Sequence, residues 1–507
     1  MRSLCWFRAS ALESQGLGLY CSAMKLSAPL LVLGFLHQAL CGQIPPAVIP
    51  AGVGVNIHFV TGHARDLDLI TNAGFRFVRM DFSWEATERK SGVHDWTEYD
   101  ELTAHLEQRG LRALYILDYV NGLYEPMVEA RRAVGEPSPE KHVASPRHPE
   151  SVAAFARWAA AAAVHFRGRH VLWEIYNEPN GDFWRPKPDA AEYTTLALAT
   201  AKAIREAEPS ATIIAPAMSG FDWKYMELFL QSGVLEFLDG VSVHPYRAPN
   251  QPPETAAADY KRLRELIDRF APESKRGKIP ILSGEWGYAS NTKGVTLETQ
   301  AAFAIRQQLC NLLNGVPLSI WYDWKNDGHD PADNEQNFGT VKEDLEPKPA
   351  YTALKTMTAE LSGYRLERRL AGLPESDFVL VFVNEAGARK AAALTSAAAD
   401  SSATPGRICR QARLFTWRVP RRPLSSPARW PNRNQSGGRS ACKPWRIFSG
   451  IRPDSWPRNG WGFTCFQMAA RWRSGSPWQS TTWTVTCSKR NCWKGDWRVR
   501  ASRTRGS

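Results

Sequence analysis

The feature that most restricts the fold is an alternation of two hydrophobic periods between residues 51 and 361. Apolar, β-branched runs short enough for buried strands occupy 53–57, 75–80, 111–117, 171–177, 212–216, 240–244, 279–284 and 317–322. Between and after them, apolar residues recur at helical spacing over 66–72, 97–109, 149–166, 190–208, 223–232, 254–270, 297–314 and 349–361. A strand followed by a helix eight times over predicts a (β/α)8 TIM barrel of the α/β class rather than an open doubly wound sheet. No Gly-x-Gly-x-x-Gly follows the first strand, which weakens a dinucleotide-binding alternative.

A barrel of this kind places its chemistry at the C-terminal strand ends. Polar residues fall there: His58, Arg79-Met80-Asp81, Asp118-Tyr119, Asn177-Glu178, His244-Pro245-Tyr246, Glu285 and Trp321. The run Val171 to Ile175 leads into Tyr176-Asn177-Glu178-Pro179. Proline cannot donate to a sheet ladder and restrains the residue before it, so this strand is expected to stop at Glu178 with the carboxylate at the rim. Ile279 to Gly284, followed by Glu285, repeats the design about a hundred residues later. Two strand-end glutamates suggest a paired-carboxylate site. A long polar loop, 119–148, follows the third strand, and such loops are more often functional lids than filler.

The net charge of +12 taken alone points toward nucleic acid or an anionic surface. It is not evenly spread. Residues 407–507 hold 19 Arg, 3 Lys and 2 Asp, a balance of +20, which leaves −8 on residues 1–406. That tail also carries ten of the twenty Trp and five of the nine Cys, contains no Tyr, and shows neither hydrophobic period over a useful length. Out-of-frame translation of a high-GC coding sequence gives such a mixture. The tail is therefore read as frameshifted or disordered, it receives no function, and no nucleic-acid partner is expected.

At the other end, Met24-Lys25, an apolar run over 26–36 and Ala39-Leu40-Cys41 resemble a secretory signal too short to span a bilayer. Residues 1–45 are read as an N-terminal extension and signal peptide with the start at Met24, and the protein as secreted or periplasmic. Lipid anchoring at Cys41 is the less favoured reading, because Gln38-Ala39-Leu40 fits the lipobox poorly. The barrel is placed at 46–361 and the beginning of an accessory, β-sandwich-like domain at 362–406. The tail cuts that domain short, so the apolar run Phe378 to Val383 is expected to lack strand partners and expose an edge. Cys310 lies in a helical pattern and reads as a buried small hydrophobe. Asp327, Asp330 and Asp333 lack EF-hand spacing and read as a solvated loop.

Trp-Glu-Ile-Tyr-Asn-Glu-Pro-Asn at 173–180, His-Pro-Tyr at 244–246, Gly-Glu-Trp-Gly at 284–287 and Trp-Tyr-Asp-Trp at 321–324 resemble the retaining glycoside hydrolases of the large barrel clan with catalytic glutamates on strands 4 and 7. The likeness is to family 39-like enzymes, with the family 5 cellulase-like group as neighbour, and covers roughly residues 50–385. It implies Glu178 as general acid/base and Glu285 as nucleophile, two carboxyls whose pKa values must be pushed apart. It further implies that Asn177 bonds a sugar 2-hydroxyl, that Arg79 and Tyr246 hold Glu285 ionised with His244 completing that shell, and that Trp321 floors the cleavage subsite. Asp118, Tyr119 and His58 are further candidates for substrate contacts. No metal or cofactor is required, and the partner is a β-linked oligo- or polysaccharide. Glu174 lies on the same face as Glu178, but its mid-strand position fits a buried ion pair better. The rival reading is a catalytically inactive carbohydrate-binding barrel.

Overall fold

The computed structural model describes residues 44–130 and 140–396 in full and, as backbone, the strands Ala412–Phe415, Phe466–Arg471, Gln479–Thr486 and Arg498–Arg505. Cys41, nearly all of the signal-like segment and most of the Arg/Trp-rich tail lie outside the described residues. Eight parallel strands close a barrel: β1 Val53–Asn56, β2 Phe77–Ser83, β3 Arg112–Asp118, β4 Leu172–Ile175, β5 Thr212–Ser219, β6 Gly240–His244, β7 Ile281–Trp286 and β8 Ser319–Trp321. The helices that follow them in turn are α1 Ala64–Asn72, α2 Thr97–Gln108, α3 Pro149–His165, α4 Ala190–Ala207, α5 Trp223–Gln231, α6 Ala257–Phe270, α7 Leu297–Leu313 and α8 Pro349–Glu360.

Local chemistry starts several of these helices. Asp189 accepts from the amides of Ala191 and Glu192 at 2.9 and 3.0 Å ahead of α4, a cap worth about 1 kcal/mol. Pro149 and Pro349 open α3 and α8, where a missing N–H costs nothing. Among the described residues no helix is long and apolar enough to cross a membrane.

Side-chain alternation along the strands builds the barrel interior. Phe77, Leu114, Ile116, Leu172, Ile214, Leu282, Leu318 and Ile320 pack together inside it, each almost fully buried. Burial of such a side chain stabilises by about 1.5–3 kcal/mol. Their strand neighbours Trp173, Ile213 and Trp321 belong to the larger core between strands and helices. An apolar plug thus closes the barrel below, and whatever points inward one layer higher forms the floor of its mouth.

After the barrel, β9 Tyr364–Arg369, β10 Asp377–Asn384 and β11 Arg389–Thr395 form an antiparallel sheet, bordered by Val48–Ile49 on one side and Ala412–Phe415 on the other. The expected exposed edge at Phe378 to Val383 is not found. That run is the central strand of the five, pairing Phe382 with both Leu366 and Lys390, and Leu380 and Phe382 are buried in the same core as the barrel helices. Its partners are β9 and β11, and the outer side of β9 is covered by a segment from before the barrel, where Val48 pairs with Arg365 and Ile49 with Tyr364. Within the long loop after β3, Met127–Ala130 and Glu140–Val143 pair antiparallel.

Candidate active site

One guanidinium organises the layer above the apolar plug. Arg79, inward on β2 and 1 % exposed, donates from Nε to Glu174 at 2.7 Å, from Nη1 to Glu285 at 2.6 Å and Asn56 at 3.2 Å, and from Nη2 to Asn177 at 2.7 Å. Glu174 is therefore the buried ion-pair partner that its mid-strand place suggested. Removing one member of such a buried set leaves an uncompensated charge and costs about 3–5 kcal/mol. The layer closes only because residue 284 is glycine, since a Cβ there would stand 2.9 Å from Glu174 Oε1 and 3.4 Å from His244 Nε2.

Glu285 reaches this layer through an irregularity. Leu282 points inward, so strict alternation would aim Gly284 in and Glu285 out. The register between β7 and β8 slips between Ser283 and Trp286, a bulge that turns the carboxylate into the mouth. There Oε2 accepts from Arg79 and Oε1 from the Tyr246 hydroxyl at 2.7 Å. Each oxygen thus accepts from a different donor, one a cation and one a phenol, which fixes the carboxylate in place.

Glu178 arrives differently. β4 ends at Ile175, three residues before the expected stop, and both Tyr176 (φ 67°) and Glu178 (φ 43°) take left-handed backbone conformations. Each costs about 1–3 kcal/mol for a residue with a side chain. The turn is held by Tyr176 N to Leu117 O and Glu178 N to Ala217 O, both 3.0 Å, and by Asn180, whose side-chain amide exchanges hydrogen bonds with the Ser219 backbone at 2.8 and 3.0 Å. The carboxylate meets His244 Nδ1 at 2.8 Å, while His244 Nε2 lies 3.3 Å from Arg79 Nη2. Arginine only donates, so Nε2 accepts and Nδ1 carries the hydrogen aimed at Glu178. Burial pushes the Glu178 carboxyl up, but the hydrogen bond from His244, with Ser219 and the charge of Arg79, outweighs it and holds the group below its usual value. That direction is opposite to the one expected of the proton donor, and its cause is His244, which stands beside Glu178 and not in the Glu285 shell. An oxygen of Glu178, an oxygen of Glu285 and a nitrogen of His244 all lie within 4.8 Å of one another.

The remaining expected residues divide. Asn177 is 6 % exposed, and its Oδ1 is turned to Arg79, which leaves the amide nitrogen as its free donor end. Trp321 is fully buried and donates its indole N–H to Phe338 O at 3.3 Å, so it does not floor a subsite. Ile320 takes the inward position on β8 and forces Trp321 outward. The half-buried ring at this wall is Tyr322, set edge-on to Tyr246 at 6.5 Å and to Phe338 at 5.2 Å. Asp118 is fully buried and does not reach the mouth itself. Tyr119 does, stacked on the partly exposed Phe183 at 5.3 Å.

His58 sits at the rim with Nδ1 3.4 Å from Asp327 and 3.7 Å from Asp323, and Nε2 3.0 Å from the Asn56 amide. Burial lowers it, but Asp327, Asp323 and Asp81 more than compensate and raise it to about 9. Asn56 was not anticipated; only its place near the end of the first strand, two residues before His58, could have signalled it.

Among the described residues two groups have the composition of metal sites, His58 with Asp323 and Asp327, and Glu178 with His244 and Glu285. In the first, His58 Nε2 already faces the Asn56 amide and Nδ1 the two carboxylates. In the second, the lone pairs of Glu285 already face Arg79 and Tyr246. Asp330 and Asp333 act as turn caps, accepting from Ala332 N at 2.9 Å and Glu335 N at 2.8 Å.

Comparison with known proteins matches residues 51–328, which span all eight barrel strands and both glutamates, to the family described as Cellulase (glycosyl hydrolase family 5). The chain belongs to glycosyl hydrolase family 5. As a family member it is an O-glycosyl hydrolase acting on carbohydrate. Among solved structures it is similar to a family 39 glycoside hydrolase from the gut symbiont Bacteroides cellulosilyticus WH2, at 26% identity over 69% of this chain and 71% of that one, with a TM-score of 0.58. A monomeric beta-xylosidase from Caulobacter crescentus CB15 aligns at 19% identity over 70% of this chain and 75% of its own, TM-score 0.51, and speaks to the fold alone. So does a glucosidase from Croceicoccus marinus, at 14% identity, 71% and 79% coverage and TM-score 0.51. A search of curated proteins gives no significant match.

Proposed function

We propose that the enzyme cleaves β-O-glycosidic bonds of an oligo- or polysaccharide with retention of anomeric configuration, using Glu285 as nucleophile and Glu178 as general acid/base. The observation that carries this reading is the closeness of the two carboxyls, with one oxygen of each inside a 4.8 Å group. Retaining enzymes hold their carboxyls about 5–5.5 Å apart, whereas inversion needs about 6.5–9.5 Å to admit a water. Glu285, bonded by a cation and a phenol, stays ionised and attacks the anomeric carbon. Glu178 delivers a proton to the leaving oxygen, then takes one from the water that releases the sugar. His244 donates to Oε1 of Glu178 and so leaves Oε2 as the atom that faces the leaving group. Asn177 offers its amide N–H to the 2-hydroxyl, a bond that strengthens as the transition state forms. The signal-like segment at 24–41 supports an activity outside the cytoplasm, in the periplasm or the medium.

Proton NMR of fresh product tests the reading. The first sugar released from an aryl β-glycoside is expected as the β-anomer, converting to α only by later mutarotation. Initial α-product means that water attacks directly, and the nucleophile assignment falls.

A further inference from the structure

The proposed chemistry leaves Asp81 and Asp118 unused. Asp81 stands two residues beyond Arg79 on β2, so alternation puts both on the inner face with Asp81 about 6.6 Å nearer the mouth. It is half-buried, and its charge is felt by Asp118, Tyr119 and His58. Asp118 ends β3 and is fully buried, and among the described residues no N–H or O–H reaches either of its oxygens. The group within hydrogen-bonding reach is the Asp81 carboxyl. Two carboxylates repel; they bond only when one carries the proton. Burial, with the Asp81 charge, pushes Asp118 well above the usual carboxylate range, so the buried partner keeps it. Asp118 thus stands behind Asp81, which lies on the inner face nearer the mouth and close to Tyr119, a ring that also feels Glu285.

We propose that Asp81 accepts a hydroxyl of the sugar whose anomeric carbon meets Glu285, and that the buried Asp118, whose oxygens meet no other donor among the described residues, is the positioning residue that bonds to Asp81 and fixes its orientation. This rests on the reading of Glu285 as the nucleophile. A polar acceptor of this kind discriminates strongly against a substrate lacking the hydroxyl, because the acceptor is then left unpaired. The ligand class is therefore a neutral pyranose read by one specific hydroxyl, through a contact separate from that of Asn177.

The test uses the full chain and the 4-nitrophenyl glycoside it cleaves best among β-xyloside, β-glucoside, β-galactoside and β-mannoside, with the monodeoxy analogues of that sugar. Asp81→Asn is expected to lower kcat/KM by about 10- to 150-fold on the parent, a loss that nearly vanishes on one deoxy analogue. Asp118→Asn keeps a neutral donor behind Asp81 and is expected to stay within about threefold of the wild type with the same deoxy pattern, whereas Asp118→Ala falls on the parent and much less on that analogue. An equal loss of Asp81→Asn on every analogue, or no loss, overturns the substrate contact. Asp118→Asn as impaired as Asp118→Ala, with both folded by circular dichroism, overturns the donor role. Wild-type inversion, or full activity in Glu285→Ala, would instead defeat the underlying nucleophile assignment, independently of the deoxy pattern.

Discussion

The ends of β4 and β7 deliver the same side chain, from similar-looking sequence, into opposite surroundings. Glu285 lies on a bulged but otherwise extended strand, bonded on one oxygen to a buried guanidinium and on the other to a phenol. Glu178 lies past the end of its strand on left-handed backbone and meets an imidazole. An arginine only donates and is always charged, whereas the imidazole donates from Nδ1 and accepts at Nε2. The difference teaches that role is set by the neighbour's chemistry: a fixed cation holds both the position and the charge of the group beside it, and a single imidazole N–H leaves its carboxyl an oxygen for proton transfer.

The contrast breaks most sharply at the nucleophile. Glu285→Ala is expected to lose several orders of magnitude on every substrate, since no covalent route remains. If azide rescues this variant with retained configuration while Glu178→Ala stays silent, the two roles must be exchanged. Glu178→Ala is expected to lose about 10²–10⁴-fold on a poor leaving group and far less on an activated aryl glycoside, with azide giving a glycosyl azide of retained configuration. A loss independent of leaving group would remove Glu178 from proton transfer.

Tyr246→Phe takes away one bond to an ionised group, and kcat/KM should fall by about 10- to 150-fold. An unchanged value would mean that Arg79 alone holds Glu285. The smallest effect concerns His244→Ala, and it is a shift along the pH axis. Burial raises Glu178 and His244 gives the largest opposing contribution, so the substitution leaves burial opposed only by Ser219 and Arg79. The alkaline limb of kcat/KM, where the acid loses its proton, is therefore expected to move to higher pH. Movement downward would mean that the imidazole keeps the proton on Glu178.

How much of this was legible in the sequence follows from how local each feature is. The eight strands and helices are periodic over their own length, and every predicted one is present to within a few residues. Arg79, Tyr246 and the two glutamates lie at strand ends, where the fold puts chemistry. What alternation could not reveal is where it fails: the bulge that turns Glu285 inward depends on pairing with β8, and the early end of β4 on contacts with Leu117 and Ala217. Trp321 misled for the converse reason, because alternation held there, and Ile320 had already taken the inward place. The partner for β9 was out of reach of any local pattern, since it lies more than three hundred residues upstream.

That last pairing has a topological consequence. Val48 and Ile49 enter the barrel beside the strand that leaves it, and Gly363 N donates to Ile49 O at 2.8 Å where the two paths meet. The barrel's chain is thus almost a ring, clasped at one point. A cut at residue 361 would open the clasp and strand an unpaired edge at the entrance. Circular permutation asks for the reverse operation, since ends that already lie together can be joined and the ring reopened at an exposed turn such as that around Gly92, with the catalytic layer untouched.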